Sequence, residues 1–267
     1  MLLNMNNKDD SETPKESKSQ VAVPTIIYED DEVLVLDKPC GMLVHEDGFS
    51  PHAGTVVDWF LKRFPEASGV GEITLTPKGV ALERSGVVHR LDRDTSGVMV
   101  LAKTNDAHTY LKVQFHDRLA KKEYRALVYG LVKDKWGTIN RPIGRSARDF
   151  RLRSAEQGAR GTLRDAVTNY ECLKAGESDG ENFSYLALKP KTGRTHQLRV
   201  HLKAIDRPIV GDLLYAGKKL EQSKSLGLSR LSLHAHMLEI SLPNGKTELF
   251  IAPIPADLAE AISSIAI

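Results

Sequence analysis

The chain has 267 residues, of which 41% are hydrophobic and 27% are charged, and its formal net charge is +2. This length and composition are typical of a globular protein with a full hydrophobic core, in one large domain or two small ones, and they exclude a mini-protein that needs disulfides to fold. The small net charge does not by itself identify a nucleic-acid partner.

The sequence also bears on location and on metal binding. No apolar run approaches the roughly 20 residues that a membrane helix requires, and the first ten residues lack the basic start and apolar segment of a secretory signal. Cys40 and Cys172 form no Cys-x-x-Cys pattern, so we expect neither a disulfide framework nor a zinc site. We therefore expect a cytoplasmic protein without a bound metal.

The first 20 residues are polar and contain no aromatic side chain, so we expect a disordered tail, followed by one folded domain over residues 21–267. Periodicity and turn signals then predict the elements of the first half. These are strands over residues 32–37, 42–45, 98–102 and 123–129, and helices that begin at Thr55 and Thr104, with a loop over residues 67–86.

In the second half, two apolar runs around a Gly-rich turn predict a hairpin, and a 3.6-residue period predicts a helix that starts at Thr195 and ends before Pro208. Strands outnumber helices, and the two do not alternate regularly. We therefore predict an α+β fold with a mixed, largely antiparallel central sheet and flanking helices. The predicted strands here are residues 166–173, 183–188, 231–236, 237–242 and 246–251, and residues 255–267 form a C-terminal helix.

Residues 88–97 form a dense polar segment directly before a buried apolar run. Within it, Asp92 is flanked by His89, Arg90 and Arg93, which would favour the ionised carboxylate of a nucleophile. The alternative is a salt-bridged loop that only anchors the following strand. Charge pattern alone favours this alternative, because structural ion pairs outnumber catalytic ones.

An arginine-rich strip covers residues 141–164, where only Asp149 and Glu156 carry negative charge. It is either a solvated loop or an arm that contacts phosphates. The second interpretation is favoured because arginine rather than lysine dominates, and the guanidinium fork matches phosphate oxygens. The strip contains Arg141, Arg145, Arg148, Arg151, Arg153, Arg160 and Arg164.

Five segments resemble, in the same order, the RluA-type pseudouridine synthases. They are residues 36–45, 89–97, 122–130, 193–202 and 211–215, and the resemblance extends from about residue 26 to residue 253. It implies the pseudouridine synthase catalytic fold and an enzyme that isomerises uridine in ribosomal or transfer RNA to pseudouridine, without metal or cofactor. RNA with a flipped uridine would be its partner, and the protein would act as a monomer.

The resemblance also implies residue roles. Asp92 would be the nucleophile, with attack on the sugar C1′ or on the uracil C6 left open, Arg199 would pair with it, and Tyr124 would stack on the base. Asp94 is assigned a structural role. The remaining residues that we expect to contact the substrate RNA are His89, Arg90, Leu91, Arg194, His196 and Leu198 in the matching segments, and Arg145 and Arg148 in the arginine-rich strip.

Two other functions stay open. One is a non-catalytic RNA-binding or folding factor that uses the same groove, although such a protein has no need for an anionic residue facing RNA. The other is a hydrolase in which Asp92 and Asp94 act as paired carboxylates. The sequence departs from the family pattern in its domains. The polar stretch before residue 36 is too short for a packed domain, so we expect no separate N-terminal RNA-binding domain.

Overall fold

The computed structural model describes residues 23–46, 54–72, 74–75, 79, 81–82, 84–149, 151–219 and 226–267. The tail predicted over residues 1–20 lies outside the described residues. The described strands are β1 Thr25–Glu29, β2 Val33–Lys38, β3 Thr74–Leu75, β4 Ala81–Leu82, β5 Ser96–Ala102, β6 Lys121–Tyr129, β7 Trp136–Asn140, β8 Ile143–Arg145, β9 Arg153–Ser154, β10 Arg160–Arg164, β11 Val167–Ser178, β12 Glu181–Pro190, β13 Leu233–Ser241 and β14 Thr247–Ile251. The described helices are α1 Val56–Arg63, α2 Asn105–His116, α3 Gln197–Lys203 and α4 Ala256–Ser263, with a 3₁₀ turn at Pro65–Ala67.

The main sheet has nine strands, in the order β1-β2-β5-β13-β6-β12-β11-β7, and β14 pairs with β13. The pairing of β5 with β13 is parallel, and the other pairs are antiparallel. This architecture confirms the predicted α+β fold with a mixed, largely antiparallel sheet.

Local sequence signals account for several of these elements. All seven residues of β5 are buried, as its apolar run predicts. Thr55 and Asp58 form the predicted capping box at the start of α1, because each side chain accepts a hydrogen bond from the other residue's backbone N–H. The predicted two-sided pattern of β6 is also present. Ala126 and Val128 enter one apolar cluster, and Leu127 and Tyr129 enter another.

Other predicted elements differ from the structure. Residues 42–45 do not form a strand, and Leu43 makes only an isolated bridge with Thr55. The loop predicted over residues 67–86 contains the short antiparallel pair β3 and β4. The arginine-rich strip is not a loop, since β8, β9 and β10 form a separate three-stranded sheet. The two strands predicted over residues 231–242 are one strand, β13, with an irregularity between Ala235 and Met237.

The apolar clusters position the cleft described below. One cluster covers β2 and β5 with residues from α1 and α2. Another lies under α3, and its residues come from β6, β12 and α3. Tyr124 of β6 packs against both. The site therefore forms where the two clusters meet.

The structure also bears on membranes, metals and thiols. Over the described ranges, no helix is long and apolar enough to cross a bilayer, and no group of three or more His, Cys, Asp or Glu side chains is arranged to hold a metal ion. Cys40 and Cys172 are free thiols. The Cys40 thiol donates to the backbone carbonyl of Asp94 at 3.0 Å, so it is a structural contact of the polar segment before β5.

Candidate active site

A cleft with a volume of about 1160 Å³ brings together three of the segments that the sequence singled out. One wall is the polar segment before β5, the second is the start of β6, and the third is the turn before α3 with the first turn of that helix. The predicted site residues that line it are His89, Arg90, Leu91, Asp92, Tyr124, Arg194, His196, Leu198 and Arg199.

The backbone around Asp92 is held by the segment that follows β2. The buried ammonium of Lys38 donates to the carbonyl of Arg93 at 2.9 Å and to that of Met42 at 2.8 Å. The backbone N–H of Gly41 donates to the same Arg93 carbonyl at 3.0 Å. Burial lowers the pKa of Lys38 to about 8. These contacts fix the loop that carries Asp92, and one of them engages the carbonyl of Met42, in the segment where a strand was predicted.

The cations beside Asp92 in sequence make contacts elsewhere, contrary to our expectation that they surround its carboxylate. The His89 ring accepts a hydrogen bond from the Val100 backbone N–H at 3.1 Å, and burial lowers its pKa to about 3, so this histidine is neutral. Arg90 lies 3.2 Å from the His45 ring. Arg93 pairs with Asp94 at 3.1 Å. The positive charge beside the Asp92 carboxylate comes instead from Arg199 of α3.

Arg199 in the first turn of α3 lies 3.7 Å from the Asp92 carboxylate, measured from Nη1 to Oδ2. Its closer partner is Asp212, which accepts from Nε at 2.8 Å and from Nη2 at 2.7 Å. His196 precedes the helix, and its Nε2 lies 3.9 Å from the same Asp92 oxygen. Burial lowers the pKa of His196, and the nearby Asp92 opposes this shift.

Tyr124 lies on the face of β6 that lines the cleft, with its ring partly buried. Burial and, to a smaller extent, the charge of Asp92 raise the pKa of its hydroxyl, which therefore stays protonated at neutral pH. Lys122 lies two residues earlier on the same strand face and also lines the cleft. Leu198 is buried in the wall formed by α3. The cleft thus combines a carboxylate, an aromatic ring and an apolar wall.

Of the other predicted contact residues, Leu91 and Arg194 line the cleft, whereas Arg145 and Arg148 do not. Leu91 is buried in the apolar cluster of β2 and β5, although it also reaches the cleft. Arg194 donates from Nε to the Asp165 carbonyl at 3.1 Å, which ties the turn before α3 to the start of β11. Arg145 and Arg148 lie outside the cleft, in β8 and in the turn that follows it.

Sequence reasoning assigned no role to Asp212, Tyr215 or Lys122, which the structure places at or behind the cleft. Asp212 and Tyr215 belong to residues 211–215, a segment noted for its family resemblance without a function for each side chain. The strand period of two could have placed Lys122 beside Tyr124 on one face. No local pattern pairs Asp212 with Arg199, because that contact depends on how the chain folds back after α3.

Comparison with known proteins identifies the family of the chain. The family model for RNA pseudouridylate synthase matches residues 32–204. An uncharacterized RNA pseudouridine synthase of Synechocystis is 39% identical over 235 residues, which are 86% of this chain and 65% of the relative. The ribosomal large subunit pseudouridine synthase D of Xanthomonas campestris is 39% identical over 263 residues, 95% of this chain and 73% of the relative. The chain therefore spans roughly two thirds to three quarters of the length of these two proteins.

A solved structure shows the same fold. The human RNA pseudouridylate synthase domain containing 1 superposes with a TM-score of 0.68 at 27% sequence identity, covering 86% of this chain and 83% of the human chain. Family model, relatives and fold agree with the resemblance carried by the five sequence segments. The chain belongs to the RNA pseudouridylate synthase family, of the RluA type.

Proposed function

We propose that this protein is an RNA pseudouridine synthase that isomerises specific uridines in ribosomal or transfer RNA, as a monomer in the cytoplasm, with Asp92 as its nucleophile. The observation that carries the proposal is the convergence of Asp92, Tyr124 and Arg199 on one cleft. These side chains come from three distant parts of the chain. Family membership supports the same chemistry.

The reaction breaks the bond between C1′ and N1, turns the uracil within the site, and joins C1′ to C5. The proton on C5 is lost, and N1 gains a proton, so atoms balance without a redox change. Asp92 supplies the carboxylate that forms the transient covalent species. Arg199 supplies a fixed positive charge beside it. Tyr124 offers a ring face for stacking on uracil and a protonated hydroxyl that can donate a hydrogen bond.

The target uridine must leave its base stack to reach the cleft, at a cost of a few kcal/mol that is smallest in loops and bulges. Leu198 supplies an apolar surface for the extruded base, and Arg90 is exposed at the cleft, where it can occupy the space that the base leaves. The substrate is therefore structured RNA with an unpaired or weakly paired uridine.

The test uses total RNA from cells that lack this protein, labelled with tritium at C5 of uridine. Incubation with the purified protein should release tritium to water while the RNA chain stays intact and no free uracil appears. Binding of the RNA without tritium release would identify a binding or folding factor. Release of free uracil would identify a hydrolase.

A second prediction concerns the sheet formed by β8, β9 and β10. Register places Arg145 of β8 opposite Arg160 on one side and opposite Arg153 on the other. Three arginines are therefore neighbours on this small sheet, and the guanidinium fork matches phosphate oxygens. The double variant Arg145→Gln with Arg148→Gln should therefore flatten the plot of log affinity for RNA against log salt concentration by about one to two units of slope.

The matched control for this salt series replaces two arginines that belong neither to the small sheet nor to the cleft lining, Arg63→Gln with Arg207→Gln. Arg63 is in the last turn of α1, and Arg207 follows α3 and donates to the Leu131 carbonyl. The control should keep the slope of the unmodified protein. Equal slopes for both double variants would show that the sheet makes no phosphate contacts of its own.

A further inference from the structure

Asp212 lies at the centre of a buried hydrogen-bond network behind the cleft. Its side chain is 0% exposed and forms a bidentate pair with Arg199, whose side chain is 5% exposed. The same carboxylate accepts the backbone N–H groups of Leu214 at 3.0 Å and Tyr215 at 3.1 Å. Four donors therefore converge on its two oxygens, so this buried charge is paired and hydrogen-bonded.

The network continues from Tyr215 to His196. The Tyr215 hydroxyl oxygen accepts the Arg153 backbone N–H at 3.1 Å and lies 2.7 Å from His196 Nδ1. With an amide already donating to this oxygen, the hydroxyl hydrogen is available for Nδ1. When the hydroxyl donates to Nδ1, neutral His196 carries its proton on Nε2, the nitrogen that faces Asp92.

The backbone conformation of His196 indicates that the surrounding structure holds its ring against Tyr215. His196 has a left-handed conformation with φ 55° at the start of α3, which residues other than glycine adopt only where the surrounding structure holds them. Its ring stands edge-on to Tyr215 with centroids 5.5 Å apart, and the Arg199 guanidinium lies 4.9 Å from the centre of the Tyr215 ring. One segment after α3 therefore holds both side chains.

We infer that Asp212 is a positioning residue that holds the two donors facing the Asp92 carboxylate, Arg199 directly and His196 through Tyr215. Both donors point at the same oxygen, Asp92 Oδ2, from 3.7 and 3.9 Å. These distances exceed a normal hydrogen bond, so the donors orient the carboxylate without occupying its lone pairs. The effect of Asp212 on the reaction rests on the proposed function, whereas its effect on the geometry of His196 does not.

The kinetic test compares Asp212→Asn and Tyr215→Phe with the unmodified protein. Asp212→Asn keeps the shape of the side chain but places a neutral amide against Arg199. We expect kcat to fall about 10- to 100-fold, since small displacements of catalytic groups have effects of this size, while KM for the RNA changes less than about threefold. Tyr215→Phe removes only the hydroxyl that meets His196 and should lower kcat by about 3- to 10-fold.

Asp257→Asn is the matched control, because Asp257 forms a comparable bidentate pair with Arg230 outside the cleft, at 2.6 and 2.7 Å. It should leave kcat within about twofold of the unmodified protein. A folded Asp212→Asn protein with unchanged kcat would overturn the inference, and so would an equal loss of kcat in Asp257→Asn. If Asp212→Asn does not fold, Tyr215→Phe decides the point alone, and an unchanged kcat in that variant would overturn the inference.

A second readout needs no activity. Nitrogen-15 NMR of the histidine rings should show His196 in the unmodified protein as a neutral ring with its proton on Nε2. Asp212→Asn and Tyr215→Phe should both shift this signal toward a mixture of the two neutral forms. If the unmodified protein converts no uridine but both variants show these shifts, the proposed function is overturned and the role of Asp212 in geometry is kept. An unchanged His196 signal in both variants would overturn that role.

Discussion

Asp92→Asn is expected to abolish the conversion of uridine, with a loss on the order of 10⁴-fold or more, as found when an acting nucleophile is removed. The amide cannot form the covalent species, although it has nearly the same shape as the carboxylate. Binding of RNA should persist, because the variant removes a negative charge from the proposed RNA-binding cleft. Pseudouridine formation and RNA affinity would be measured on the same preparation.

Asp94→Asn is the control for this experiment. Asp94 is two residues away on the same loop and pairs with the exposed Arg93, so its substitution should change the rate less than about threefold, since exposed ion pairs contribute about 1 kcal/mol or less. Near-normal activity of Asp92→Asn would refute the assignment of the nucleophile. Equal losses in both variants would assign the activity to the integrity of the loop instead.

Arg199→Ala is expected to reduce the free energy of unfolding by about 3–5 kcal/mol, because it leaves the fully buried Asp212 carboxylate without its partner. It should also remove activity. Urea denaturation would measure the stability change. Arg230→Ala is the control, since its partner Asp257 is 46% exposed and water can solvate the remaining charge, so about 1 kcal/mol is expected.

A double variant separates the two effects of Arg199. Combining Arg199→Met with Asp212→Leu replaces the buried ion pair by apolar groups, a change that is often neutral or stabilising. We expect this protein to regain only part of the stability lost in Arg199→Ala, because the backbone N–H groups of Leu214 and Tyr215 lose the acceptor that Asp212 supplies. It should regain none of the activity. Recovery of activity would show that neither charge is needed beside Asp92.

Much of the fold could be predicted because the signals are local, whereas the roles expected for Asp92, Tyr124 and Arg199 came from the family resemblance. The apolar run of β5 is buried on both faces, and the polar segment before it could be recognised as exceptional on its charge density alone. The Thr55 capping box lies within four residues. The contacts around Asp92 could not be predicted in this way, since the nearest cation, Arg199, is distant in sequence and its salt bridge to Asp212 is formed by tertiary packing.

The wrong local predictions have physical causes. Residues 42–45 are apolar enough for a strand, but their carbonyl groups have other partners. Met42 accepts from the Lys38 ammonium, and Leu43 and Val44 accept from the first backbone N–H groups of α1. The helix predicted from Thr195 begins later, because the Gln197 side chain accepts from the Arg194 backbone N–H and from the Thr192 hydroxyl and thereby extends the preceding turn. Such side-chain bonds compete with regular structure.

The place of β13 in the sheet affects how the chain can be made. This strand lies between β5 and β6, although it comes from residues 233–241, after both of its neighbours. During synthesis, β5 and β6 therefore emerge long before the strand that joins them, and until then each presents an unpaired edge that can pair with another chain. Asp92 lies before β5 and Tyr124 lies in β6, so the late arrival of β13 joins the two parts of the sheet and brings these two walls of the cleft together.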